Sequence, residues 1–341
     1  METWNEVYAS AKKKTTKCRC CLTCNGIACK GETPGVGGKG SGASFIRNVS
    51  KLKEVFLNLD TICNNDQIST ESLFFDYKVA LPVYAAPIGG IESNYGVSMS
   101  DYEYNKALVE GCLLANTLAF SGDGQYPNMY EEPLSIIKEH NGLGIPTIKP
   151  WDKVNIEWRI KAANEANAIA IASDIDAAGL THLRNSATPV EYKDVNALKE
   201  FKKLCNKPII IKGIMSVKGA LKALEANADA IVVSNHGGRV LDDTLSSIEV
   251  LEDIVKAVDG KMKVFIDGGF RTGIDVFKAL ALGADGVLIG RFTSLAVIGD
   301  GSNGVKIYLD KIQSELKDTM ALCGCKNIKD ITRDCVITKF K

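Results

Sequence analysis

From about residue 80 onward, short apolar runs alternate with amphipathic stretches, and this rhythm constrains the fold more than any other feature of the chain. The runs are Pro82–Ala86, Asn116–Ser121, Pro146–Lys149, Ala168–Ser173, Pro208–Lys212, Ala230–Ser234, Lys263–Asp267 and Gly286–Ile289. Helical patterns lie between them near 102–113, 132–140, 153–166, 193–205, 216–227, 246–258 and 272–282, and a last one near 303–322 repeats its apolar residues every three or four positions. Parallel strands joined by crossover helices have this pattern. Eight such units in about 240 residues have the size of one (β/α)8 barrel. A doubly wound open sheet is the other architecture, and the count of eight favours the barrel. The spacing therefore predicts an α/β protein, a TIM barrel over 79–341 preceded by a Cys-rich and Gly-rich N-terminal extension over 1–78.

Composition narrows the function classes. The 341 residues carry 41 basic and 41 acidic side chains and are 45% hydrophobic, which excludes disorder. The charge balance argues against nucleic acid as a partner. No apolar run reaches the length of a membrane span. Lys12, Lys13 and Lys14 are followed by no apolar stretch, so the N-terminus does not read as a secretion signal, and a reducing cytoplasm is the expected setting. Of the eleven cysteines, Cys18, Cys20, Cys21, Cys24 and Cys29 crowd together. Thiolates this close can hold zinc or an iron–sulfur cluster. No second Cys-x-x-Cys pair or nearby His completes a zinc ribbon, so a loop of reduced thiols is the plainer reading. The stretch Gly35 to Gly42 contains G-x-G-x-x-G at Gly35, Gly37 and Gly40, but no strand precedes it, and Gly40 follows Lys39 where a P-loop needs Ser or Thr. It reads as a flexible loop.

In a barrel, chemistry gathers where the strands end. Gly268 and Gly269 let backbone N–H groups approach an anion, while Arg271 and Arg291 supply forked donors; together they predict a phosphate cradle after the last two strands. Of three histidines, His140 and His182 sit away from strand ends. His236 ends the sixth run between Asn235 and two glycines, where a general base is useful. Arg239 could clamp a carboxylate and Lys212 could stabilise a developing anion.

Ile210-Ile-Lys-Gly-Ile, Val232-Val-Ser-Asn-His-Gly-Gly-Arg-Val-Leu-Asp242, the stretch from Ile266 to Asp285 and Gly290-Arg291 closely resemble the FMN-dependent α-hydroxy acid dehydrogenases and oxidases. The likeness is dense over about 205–292, looser over 80–180 and absent before 78. It implies a barrel binding FMN, with the flavin ring against Ala86, Pro87 and Ile88 and near Lys212. Ser234 and Asp267 would also meet the cofactor, and Gly268, Gly269, Arg271, Gly290 and Arg291 would hold its phosphate. It further implies oxidation of a small L-2-hydroxy acid to the 2-keto acid. His236 would take the hydroxyl proton as a hydride passes to flavin N5, Arg239 would bind the carboxylate, and Asp174 would orient the histidine as in a catalytic triad. The family habit implies a homotetramer. Which group accepts the electrons is left open.

The chain also departs from that pattern. Ala172 stands where the family has Thr, Arg184 is out of register with a second substrate arginine, Thr147-Ile-Lys-Pro-Trp151 replaces a Gln and a Tyr, and the usual N-terminal substrate tyrosine has no counterpart. Two other functions fit the same barrel: an FMN-dependent isomerase, and a non-catalytic flavin or redox-sensing protein. Retention of His236, Arg239, Lys212 and Asp174 favours the oxidoreductase.

Overall fold

The strands close on themselves. In the computed structural model, which describes residues 1–64 and 66–340, eight parallel strands are hydrogen-bonded edge to edge. They are β1 (Val83–Ala85), β2 (Phe120–Ser121), β3 (Ile145–Ile148), β4 (Ile171–Asp174), β5 (Ile209–Ile214), β6 (Ala230–Val233), β7 (Lys263–Ile266) and β8 (Gly286–Ile289). Their order is β1-β8-β7-β6-β5-β4-β3-β2, and a parallel bridge between Ala85 and Ala119 joins the two ends into a ring. Side chains alternate between two cores, as strand geometry requires. Tyr84, Phe120, Ala172, Ile210, Val232, Phe265 and Leu288 fill the interior, while Val83, Ile171, Ile211, Ile231, Ile266 and Val287 pack outward against helices. Burial on both faces explains why the runs read as continuous apolar segments.

Around the ring lie α3 to α10. These are Asp101–Leu114, Asn128–Glu139, Lys153–Glu165, Val195–Leu204, Val217–Glu225, Ser247–Val258, Gly273–Ala281 and Arg291–Leu322; α1 (Trp4–Lys14) and α2 (Ala43–Leu52) precede them. Side-chain caps from Ser100, Asp152, Asp194, Ser216 and Thr272 start five of these helices by accepting the free N–H groups of the first turn. The last helix is longer than its amphipathic period predicts. It begins directly after β8 and breaks at Asp300 and Gly301. Its first part (Leu295, Ala296, Val297, Ile298) is buried, so it lacks the polar face that the periodicity search relies on. The second strand shrinks from the expected Asn116–Ser121 because Asn116 takes a left-handed turn with φ 51°.

Segments before the barrel also have defined structure. A capping box between Thr3 and Glu6 starts α1, and Trp4 and Tyr8 pack against Phe292 and Tyr308 of α10. A short strand, Val55–Leu57, pairs antiparallel with Val336–Thr338. The hairpin Ser72–Phe74 with Tyr77–Val79 leads into β1 and pushes Phe74 into the barrel interior. There Phe74 stacks on Phe265 at 5.6 Å and meets Tyr84 edge-on at 5.0 Å. Among the described residues no helix is long and apolar enough to cross a membrane.

Candidate active site

Polar groups collect at the carboxyl ends of the strands, where each strand releases its chain into a loop. Ala86, Pro87 and Ile88 after β1, Lys212 on β5, His236 and Arg239 after β6, Asp267 to Arg271 after β7, and Gly290 and Arg291 after β8 line one cleft enclosing about 700 Å³. A second, wider cleft of about 1550 Å³ shares Pro87, Ile88, His236 and Arg239 and adds Asp123, Tyr126, Lys149 and His182. His236 and Arg239 therefore stand where the narrower slot meets the wider vestibule.

The histidine is held by Asp176. Its Nδ1 lies 3.0 Å from Asp176 Oδ1, and among the described residues Nε2 has no hydrogen-bond partner. The backbone N–H of His236 donates to Ser234 Oγ at 3.1 Å, fixing a residue whose φ is 56°. Burial lowers the pKa of the imidazole, against the pull of Asp176, so the ring is neutral at neutral pH. For Asp176 burial acts in the opposite direction, but His236, Lys212 and Lys149 outweigh it and keep the carboxyl ionised. Gly213 makes this approach possible: a Cβ there would lie 2.5 Å from the Asp176 side chain, and its φ of 102° marks the register shift in β5.

Asp174, expected to orient the histidine, makes no hydrogen bond to it, although a carboxylate oxygen of Asp174 comes within 4.8 Å of a His236 nitrogen. Asp174 Oδ2 accepts from Lys149 Nζ at 2.5 Å, and Oδ1 is buried without a partner. Asp174 is the last residue of β4, whereas Asp176 lies in the 3-10 turn that follows, and that turn carries the second acid to His236. Lys212, buried at the end of the neighbouring strand, donates to Ser234 Oγ at 3.1 Å and lies 3.5 Å from Asp267. Burial opposes its charge, but Asp267, Asp176 and Asp174 hold the ammonium protonated.

Three arginines border the slot, and among the described residues none has an acidic side-chain partner. Arg239 Nη2 donates to Asn94 Oδ1 at 2.7 Å while its Nε is buried and unpaired; burial, then the charge of Arg291, lower its pKa to about 10. Arg271 Nη1 donates to its neighbour's carbonyl, and its Nε is also buried and unpaired. Arg291 donates through Nε to Val36 O at 2.7 Å, and through Nη2 to Gly37 O and Gly237 O. Half-buried cations without counter-charges are costly unless an anion binds among them. Gly268 and Gly269, with φ of 100° and 95°, present backbone at the same place, and Asp267 Oδ1 is buried without a partner. These groups fit FMN: anion donors for the phosphate, a carboxylate for the hydroxylated chain, and an apolar wall of Ala86, Pro87 and Ile88 for the ring.

Ser234 sits beneath the slot and reaches it only through Lys212 and His236. Arg184 is exposed, with its guanidinium on Tyr192, and takes no part. The glycine-rich stretch, read as a flexible loop, packs across the slot instead. Gly35 and Val36 line it, and Lys39 N donates to Gly238 O at 2.8 Å. Gly238 also lets the start of α2 come close, since a Cβ there would lie 2.5 Å from Phe45 N. Sequence reasoning missed Asp123, which binds the backbone N–H of Lys149, Trp151 Nε1 and Arg159 in a buried network that anchors Lys149. A lone acid in a polar Gly-Asp-Gly turn gives no periodic signal.

Comparison with known proteins agrees with this geometry. The FMN-dependent dehydrogenase family pattern matches residues 156–338. Peroxisomal (S)-2-hydroxyacid oxidase GLO3 of Arabidopsis thaliana is 49% identical over 148 residues, which is 43% of this chain and 40% of that protein. The chain thus matches well under half the length of that plant relative. The 4-hydroxymandelate oxidase of Amycolatopsis orientalis is 29% identical over 323 residues, covering 86% of this chain and 89% of its own. Among solved structures, a mandelate oxidase variant with 2-hydroxy-phenylacetamide superposes with a TM-score of 0.79 at 26% identity, over 99% of this chain and 98% of that one. Another variant, with a monooxide FMN adduct, gives 0.72 at 29% identity over 89% and 94%. The strand order, the anion-seeking slot at the strand ends and the match across residues 156–338 together place this chain in the FMN-dependent dehydrogenase family, with FMN as its cofactor.

Proposed function

We propose that the protein oxidises a small L-2-hydroxy acid to the 2-keto acid. The observation that carries this reading is the pairing of His236 with Asp176 next to Arg239, at the junction of slot and vestibule. Bound FMN would supply the hydride acceptor, held by Arg271, Arg291, Gly268, Gly269 and Gly290 with Lys212 at its ring. Arg239, a half-buried cation lacking an acidic side-chain partner among the described residues, binds the substrate carboxylate and so aligns the hydroxyl-bearing carbon. His236, neutral at Nε2, takes the hydroxyl proton as the C–H bond breaks. Asp176 keeps the Nδ1 proton in place and stabilises the imidazolium that forms. Names of relatives such as (S)-2-hydroxyacid oxidase and 4-hydroxymandelate oxidase support the substrate class. An FMN-dependent isomerase would have no use for a histidine base beside a carboxylate clamp.

The test is an anaerobic visible spectrum before and after adding L-2-hydroxy acids. The flavin bands are expected to bleach, and His236→Ala is expected to retain FMN yet stay oxidised. Undiminished bleaching in that variant would refute the assignment.

A further inference from the structure

We propose that Cys18, Cys21, Cys24 and Cys29 bind an iron–sulfur cluster that carries electrons away from the cofactor slot. The four are spaced Cys-x2-Cys-x2-Cys-x4-Cys, a run in which one loop can wrap a cluster. Folding brings all four to the wall of one cleft, together with Tyr8, Val36, Tyr95 and Arg291. Cys20 is absent from that wall; it is buried, with its sulfur 3.9 Å from Thr15 Oγ1. The loop is built rather than loose. Tyr8 donates to Cys21 O at 2.9 Å, Arg19 forks onto Glu32 at 2.7 and 2.9 Å, and Gly26, at φ 84°, packs so closely on Phe45 that a Cβ would lie 2.8 Å from the ring.

Two further observations point to a ligand, and to which one. Arg271 Nη2 lies 3.7 Å from Cys24 Sγ, its Nε is buried and unpaired, and Arg291 shares the cleft, so two cations without acidic partners face the cysteines. Arg271 thus faces both sites, and thiolates around a metal centre would add negative charge on its cysteine side, beside the phosphate on the other. As the side chains stand, no three of these sulfurs lie within 4.8 Å of one another. Among the described residues the only group of three metal-binding side chains with ligand atoms within 4.8 Å of one another is Asp174, Asp176 and His236. Tetrahedral zinc with bonds of about 2.3 Å needs its sulfurs about 3.8 Å apart, whereas a cluster holds its thiolates on separate irons and further from one another.

The site adjoins the cofactor, because Val36, Tyr95 and Arg291 form walls of both clefts. The electron-exit role rests on the function proposed above, while cluster binding does not. Oxidation of one hydroxy acid releases two electrons and two protons. The cluster takes one electron at a time, so two transfers restore the oxidised cofactor; the electrons end on two molecules of a small one-electron carrier protein and the protons pass to solvent. Leu22 and Ile27 stand exposed on the outer side of the loop, where such a carrier can approach.

The experiment is anaerobic purification followed by iron, acid-labile sulfide and zinc analysis, with EPR of the dithionite-reduced protein. About four irons and four sulfides per chain are expected with a cluster signal, and both are expected to be lost in Cys21→Ser and Cys29→Ser while FMN content is unchanged. Zinc without sulfide, or no metal even after reconstitution with iron and sulfide, would overturn the site. Adding an L-2-hydroxy acid anaerobically separates the two claims. Bleached flavin with a reduced cluster supports electron exit, and bleached flavin with a cluster that stays oxidised overturns it. An intact cluster beside flavin that never bleaches refutes the substrate reading alone.

Discussion

Replacing Asp176 by Asn tests which of two neighbouring acids serves the histidine. The carboxylate lies 3.0 Å from His236 Nδ1, and both side chains are about nine-tenths shielded from solvent. Unit charges about 4 Å apart interact by about 4 kcal/mol at an effective dielectric constant of about 20. If half of the proton's charge has reached the imidazole in the transition state, about 2 kcal/mol of stabilisation disappears, or roughly thirty-fold in rate. The assay is anaerobic stopped-flow flavin reduction at saturating L-2-hydroxy acid, with FMN content measured in parallel. Asp176→Asn is expected to be about thirty-fold slower with its cofactor in place, and its acidic limb is expected to move to lower pH because Asp176 raises the pKa of His236. Asp174→Asn, which touches Lys149 instead, is expected to change the rate far less. A larger loss in Asp174→Asn than in Asp176→Asn would refute the assignment.

Arg239→Met is expected to keep FMN but raise KM at least ten-fold, since a charge-assisted contact to the substrate contributes about 1.5–3 kcal/mol; steady-state kinetics measures it. Because folded His236 binds its proton less readily than the free side chain, flavin reduction is expected to hold its plateau below pH ~6.5. The same residue makes stability rise with pH just below about 6.5, where the unfolded chain binds a proton that the folded imidazole does not; thermal melts of wild type and His236→Gln at pH 5 and 7 read the difference. Phe74→Ala empties the floor of the barrel and is expected to cost about 3–5 kcal/mol, seen as a lower urea midpoint.

The parts of the fold that repeat were legible in the sequence. The eight apolar runs fall on the eight barrel strands because burial on both faces leaves only apolar residues there. Helices with a wet face were found to within a few residues, as at 153–165 and 247–258. What escaped notice lacks a period. The first part of α10 is apolar almost all round, and α1 hides its buried Val7 and Ala11 among lysines. Residues that folding brings together were readable as a set, because His236, Arg239, Lys212, Asp267 and Arg291 all lie near or just after the carboxyl ends of strands. The choice between Asp174 and Asp176 was not, since it depends on a single 3-10 turn that rotates one acid toward the histidine and leaves the other on Lys149.

The strap formed by Gly35 to Gly42 borders the cofactor slot and is held by few bonds. It is fastened at Val36 and Gly37 by Arg291, at Lys39 by Gly238 and Val240, and at Ser41 by Asp242. Gly35 and Val36 line the cofactor slot, so opening of this segment is expected to ease the release of FMN, a local unfolding event set by the stability of one short stretch. The rate of cofactor loss should therefore rise with mild denaturant well below the concentration that melts the barrel, so that the flavin becomes an internal clock for the opening of the N-terminal segment.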